Sequence, residues 1–262
     1  MFQNIITEID HGIGILTLNR ADRHNAFDDL TVLEIADAIE RFVSDTSVRV
    51  IVISSTGKSF CAGADLNWMK RMAGYSSADN LRDSTAMAEM FRRVAQCPKP
   101  VIARVQGPAY GGGVGLVAAC DIAIATFDAQ FALTEVKLGL IPAVISPYVI
   151  AAIGERNARR YFLTAERFSA AEGYRLGLLH EMVADQAALD EAIGELCEAL
   201  LKNGPHAMAE AKALIHTVAW HPLSGSVIAE TAERITYQRA SAEGREGMSA
   251  FLEKRKPNWV IE

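Results

Sequence analysis

The stretch Pro100–Thr126, PVIARVQGPAYGGGVGLVAACDIAIAT, decides how this chain is read. Val101 to Gly107 is an apolar, β-branched run with the character of a strand covered on both faces. Pro108 breaks it, and Gly111, Gly112 and Gly113 follow before a short helical stretch to about Cys120. Asp121 to Thr126 then returns to strand character. Strand, glycine loop, helix and strand in that order call for an α/β sheet with ligand loops at the strand ends. Gly115 stands inside the helical stretch, where a glycine costs about 0.5–1 kcal/mol relative to alanine. Something other than helix formation selects it.

The same alternation extends upstream. Ile5 to Ile9 and Ile13 to Leu18 are β-rich runs separated by Asp10-His11-Gly12, the pattern of a hairpin. From Asp28, apolar residues at 32, 35, 36, 39, 42 and 43 recur at helical spacing, and Val48–Ser55 reads as another buried strand. A helix is predicted from about Ser77 to Gln96, where Pro98 and Pro100 stop it. Beyond Ser146 the pattern turns helical: Ser169–Gly177, Gln186–Asn203, Pro205–Trp220 and Ser224–Lys254. The expected organisation is an α/β core over residues 1–195 and a helical C-terminal region over 196–262.

With 262 residues, half of them hydrophobic, the chain is long enough for one sizeable core. A net charge of −6 argues against nucleic acid as the main partner. No apolar run reaches the roughly 18 residues of a membrane helix, and the first twenty residues carry no basic leader of a signal peptide. A cytoplasmic location is expected. Cys61, Cys97, Cys120 and Cys197 form no CxxC pair and the six histidines are scattered, so neither a disulfide framework nor a metal is expected. No GxGxxG suggests a nucleotide redox cofactor.

Two loops stand out, SFCAGADL (Ser59–Leu66) and AYGGGVGL (Ala109–Leu116). Each follows an apolar strand and leaves backbone N–H groups uncovered, the second at the positive end of a helix dipole. Converging on one oxygen, they would form an oxyanion hole. On spacing alone, glycines that merely allow close helix–strand packing explain the pattern equally well.

The pieces LNRADRHNAF (Leu18–Phe27), FCAGADL (Phe60–Leu66), Pro100–Thr126, FALTEVKLGLIP (Phe131–Pro142), FSAAEGYRLGLLHEMV (Phe168–Val183) and FLEKRKPNW (Phe251–Trp259) resemble the crotonase, or enoyl-CoA hydratase/isomerase, family in order and spacing. The resemblance implies an α/β spiral of ββα units with a helical C-terminal trimerisation region, assembled as a homotrimer or a dimer of trimers. It implies an acyl-CoA thioester substrate, coenzyme A being part of that substrate rather than a separate cofactor. Carried over by the resemblance, Ala64 and Gly112 supply the oxyanion-hole amides and Glu135 one of the two glutamates that flank the substrate in hydratases. Arg23, His24 and Ala26, with Ala62, Asp65 and Leu66, match loops that hold pantetheine and adenine, largely through main-chain contacts. Lys254, in Lys254-Arg255-Lys256, resembles a segment that approaches coenzyme A phosphates; a solvated helix end explains it as well.

Two departures bear on function. Gly115 occupies the position of the second glutamate. Either Glu135 makes both proton transfers, or another polar group or water replaces the missing acid, or the reaction is a single-glutamate isomerisation; a non-catalytic acyl-CoA-binding protein is the reading from another class. The glycine is expected to leave room for a branched acyl group. NWMKRM (Asn67–Met72) and AVISPYV (Ala143–Val149) resemble the branch that hydrates 3-methylglutaconyl-CoA or related carboxylated, branched enoyl-CoAs in leucine breakdown. Such a substrate brings a distal carboxylate, for which Lys70 and Arg71 are candidate cations, with Trp68 and Met69 beside the acyl group or in the core.

Overall fold

His11 and Gly12 both adopt positive φ, 43° and 88°, and this turn folds β1 (Ile5–Asp10) back on β2 (Ile13–Leu18) with Ile5 opposite Leu18. The computed structural model describes residues 2–260. Asp28 caps the next helix, α1 (Asp29–Ser44), by accepting the Thr31 N–H. The apolar stripe of α1 buries Val32, Ile35, Ile39 and Phe42. β3 (Val50–Ser55) is buried along its whole length and lies parallel to β2, as its uninterrupted apolar sequence requires.

Two helices follow, α2 (Leu66–Met72) and α3 (Ser77–Ala95), the latter opened by a Ser76–Asp79 capping box. Then come β4 (Val101–Val105), the two-residue β5 (Ala109–Tyr110), α4 (Gly112–Ala119), β6 (Ile122–Thr126) and β7 (Gln130–Ala132). A 3₁₀ turn at Glu135–Leu138 leads to α5 (Ser146–Thr164), β8 (Phe168–Ser169), α6 (Ala170–Leu176) and β9 (Glu181–Val183). The chain closes with α7 (Gln186–Leu201), α8 (Pro205–Val218), α9 (Gly225–Ala240) and α10 (Ala242–Leu252).

The main sheet has the order β1-β2-β3-β4-β6-β9, parallel after the first hairpin, and a smaller sheet has the order β5-β7-β8. One face of the main sheet packs into a core with Ile35, Phe42, Phe91 and Leu116. On the other face Val50, Val52, Ile102 and Ile124 are covered by Leu189, Ile193 and Cys197 of α7. Residues 195 and 196, the expected border between core and C-terminal region, both lie within that one helix.

The structure differs from the sequence reading in several places, α2 and α5 among them. β5, β7, β8 and β9 have two or three residues each, too few for a hydrophobic period to show. The helix expected over Ser224–Lys254 is two helices, because Ser241 is extended (φ −66°, ψ 159°) and its hydroxyl accepts the Gly244 N–H, capping α10. Among the described residues no helix is long and apolar enough to cross a membrane.

Candidate active site

The first loop is fixed by a short pairing with the segment after β2. Phe27 N donates to Gly63 O and Asp65 N donates to Phe27 O, both at 2.7 Å. The peptide bonds are trans among the described residues, and in a trans peptide the C=O and N–H point in opposite directions. Because Gly63 O faces Phe27, the N–H of Ala64 in the same peptide unit faces away from it, into an exposed position. Gly63 has φ 91°, and a Cβ there would stand 3.0 Å from Tyr110 O. The loop therefore lies against the second one and needs its glycine.

The second loop is positioned by the same logic. Tyr110 N donates to Cys61 O and Gly111 N to Ala132 O, tying the glycine loop to the first loop on one side and to β7 on the other. Gly111 (φ 51°) caps α4 without a side chain, and Gly115 N donates to its carbonyl. The N–H of Gly112 shares a peptide unit with that carbonyl, so it points out of the helix N-terminus, at the positive end of the dipole. A Cβ at Gly113 would lie 2.4 Å from Cys61 O, so no side chain fits. Close packing thus sets the loop that carries the Ala64 N–H against the loop that carries the Gly112 N–H.

Glu135 enters just after β7. Its Oε1 lies 3.2 Å from the point where a Gly111 Cβ would be, which sets the carboxylate against the start of α4. Oε2 is buried without a hydrogen-bond partner. Burial raises the pKa of Glu135, opposed only by a backbone N–H. A half-buried carboxyl with an unpartnered oxygen and a raised pKa is a candidate proton-transfer group.

Gly115 corrects an expectation. The space facing it is filled, since a Cβ at 115 would lie 2.2 Å from Ile145 Cγ2, 2.7 Å from Ile145 Cβ and 3.3 Å from Phe91. Ile145 is 3% exposed and precedes α5. An apolar side chain occupies the ground beside position 115, and the glycine is required for it to sit there. No room is left for a branched acyl group at that point.

The remaining candidates separate. Asp65 is 5% exposed, accepts from Asn67 N and Trp68 N as the cap of α2, and is ion-paired with Arg20 at 3.0 Å. Burial acts to raise its pKa, but those N–H groups and Arg20 outweigh it and hold the carboxyl below the ordinary range. With its N–H also given to Phe27, Asp65 is a structural anchor rather than a ligand-facing group. Arg23 and Leu66 are exposed, Ala62 is half-buried, and Ala26 is buried. His24 takes φ 51° and shares a 3.0 Å hydrogen bond with the Ser59 hydroxyl, joining the two expected coenzyme A loops. Lys254 is exposed beyond α10, and neighbouring Arg255 is engaged by Glu246 and Glu253.

Arg71, a candidate for a distal carboxylate, is already paired with Asp29 at 2.5 Å, while Lys70 is exposed. Trp68 is 1% exposed and belongs to the core. Burial pushes the Cys61 thiol up to about 12, which removes it as a nucleophile. Among the described residues no cluster suits a metal ion. A cavity of about 300 Å³ behind the sheet, lined by Ile15, Val52, Arg104, Asp190 and Ile193, includes none of the site residues. The sequence reading missed Arg20 and Ile145; an arginine two residues after a strand was the available signal for the first, and nothing local signals the second.

Fold and site together define an α/β protein in which a half-buried, underpaired carboxylate lies against a glycine loop at the start of a helix. The family model for enoyl-CoA hydratase/isomerase matches residues 8–261, and the chain belongs to that family. It is 33% identical to the crotonyl-CoA hydratase of Syntrophomonas wolfei, covering 99% of this chain and 98% of that one. It is 31% identical to the 1,2-epoxyphenylacetyl-CoA isomerase of Escherichia coli, covering 99% of each. The crystal structure of an enoyl-CoA hydratase from Shewanella pealeana superposes with a TM-score of 0.96 at 42% identity, covering 98% of this chain and 96% of that one.

Proposed function

We propose that this protein adds water across the double bond of an enoyl-CoA thioester, with Glu135 as its single carboxylate at the reacting carbons. The observation that supports the proposal is the half-buried, underpaired Glu135 set against the start of α4, where the glycine loop packs on the loop that carries Ala64. The amides accept the charge that collects on the thioester oxygen as an enolate forms. Glu135 removes a proton from water as the oxygen bonds to Cβ, then returns a proton to Cα, so no net proton is gained or lost. Its raised pKa suits both halves of that task.

The substrate proposed is 3-methylglutaconyl-CoA or a related branched, carboxylated enoyl-CoA. Support for the acyl group comes from the resemblance of Asn67–Met72 and Ala143–Val149, with Lys70 the cation left after Arg71 pairs with Asp29. A second reading, migration of a double bond, is favoured by Ile145 standing where a second acid would reach, because moving one proton needs only one carboxylate. Purified protein offered crotonyl-, 3-methylglutaconyl- and 3-enoyl-CoA decides between them. Water addition supports the first reading, 3-enoyl to 2-enoyl conversion the second, and binding without a product refutes both.

Assembly through the C-terminal helices is also proposed. Ile215, Trp220, Leu223, Phe251 and Leu252 are all at least 65% exposed in the single chain, an apolar surface that suits burial against another copy. Light scattering at micromolar concentration should give at least a trimer, and a monomeric mass would refute it.

A further inference from the structure

Arg20 follows β2 and is only 16% exposed. One guanidinium nitrogen donates to Ala26 O at 2.5 Å; the other lies 3.0 Å from Asp65 Oδ2 and 3.1 Å from Asp28 Oδ2. These partners are not scattered. Ala26 O and Phe27 N–H belong to one peptide unit, and Phe27 N–H holds Gly63 O, the carbonyl of the unit that carries the Ala64 N–H. Arg20 therefore grips the first of two peptide planes in line, the second of which bears the proposed oxyanion donor. Its other arm holds the carboxylate of Asp65, the residue after Ala64. Both sides of the Ala64 N–H are thus referred to one planar fork, a geometry that lysine, with one point charge, does not reproduce.

We propose that Arg20 is a positioning residue that aims the Ala64 N–H at the thioester oxygen. This rests on the reading of Ala64 as an oxyanion donor. Arg20 touches no reacting atom. Its effect is angular: a hydrogen bond weakens steeply once its angle falls toward ~120°, so a tilted Ala64 peptide plane loses transition-state stabilisation. A tilted plane weakens stabilisation of the charge that develops in the transition state more than ground-state binding, so turnover should suffer more than KM. The rival account is that Arg20 only braces the caps of α1 and α2, through Asp28 and Asp65.

The test uses full-length protein with Arg20→Lys and Arg20→Met. The probe is cinnamoyl-CoA, whose absorbance moves to longer wavelength when donors draw electron density onto its thioester oxygen. Native protein should shift the probe. Both variants should keep native circular dichroism and probe affinity yet lose most of that shift. Their kcat on crotonyl-CoA should fall about tenfold or more, short of the ~10²–10³-fold typical of a donor removed outright. Lysine should lose less than methionine. Folded variants with an undiminished shift would overturn the proposal, and so would a fall in kcat without loss of the shift. If methionine prevents folding, lysine decides, since it keeps a charge between Asp28 and Asp65 without the fork. Failure of both to fold would assign Arg20 to the fold alone. Absence of any shift with native protein would instead refute the oxyanion donors themselves.

Discussion

Position 115 offers the sharpest test of the packing argument. Nonbonded carbons rest about 3.5–4.0 Å apart, whereas an alanine Cβ at 115 would start 2.2 Å from Ile145 Cγ2 and 2.7 Å from its Cβ. Gly115→Ala gains roughly 1 kcal/mol of helix propensity. Against this, overpacking a buried site costs about 1–3 kcal/mol, and Ile145 at 3% exposure has little freedom to retreat. The single variant should lose up to about 2 kcal/mol. Ile145→Ala alone should lose about 2–5 kcal/mol through the cavity it leaves. In the double variant the 2.2 Å clash with Cγ2 is gone and only the 2.7 Å contact with the Cβ of residue 145 remains, so the loss should be smaller than the sum by about 1 kcal/mol. Denaturant unfolding at one fixed protein concentration measures this, because subunit association would otherwise shift the midpoints. Additivity within about 0.5 kcal/mol would refute the contact. The same geometry revises what a restored acid can report. Gly115→Glu by itself should damage turnover of every substrate through the clash, and only together with Ile145→Gly does it test whether a second carboxylate aids hydration.

Glu135→Gln should lower turnover by about 10²–10⁴-fold while thioester binding survives, and near-native turnover would remove Glu135 as the acid/base. Because burial raises its pKa, the rate of native protein should fall as pH drops through a value above the ordinary 4.5 of a glutamate; a pH–rate profile of kcat/KM checks this. Gly112→Pro deletes one donor at the first helical position, where proline is tolerated, and should cost about 10²–10³-fold in kcat, with the Phe27 ring, 3.2 Å from the new Cβ, giving slightly. Glu172, held down to about 2 by hydrogen bonds from Arg175 and Tyr161, contributes stability that is present above its ordinary 4.5 and lost as pH falls toward 2. Glu172→Gln should flatten the acid side of the thermal-stability curve across that window, and an unchanged curve would refute the assignment.

The elements with a long apolar period, β3, α1, α3 and α7, were legible because each buries a face whose spacing is written in its own residues. The glycine run at 111–113 was legible as a close approach, and Glu135 by its place in a motif. Other features depend on residues far apart in the chain. Three short strands form the second sheet, and their pairing is set by what the loops around them can reach. The direction of the Ala64 N–H follows from its neighbours' bonds to Phe27, 37 positions earlier by the numbering. Arg71 looked like a free cation until folding brought Asp29 beside it. Gly115 shows the division most clearly. The sequence by itself determined that no side chain stands there, because composition is local. Whether that leaves a hole or a contact was decided by the start of α5, which brings Ile145 across thirty residues to fill it, and a contact between distant residues has no period to betray it.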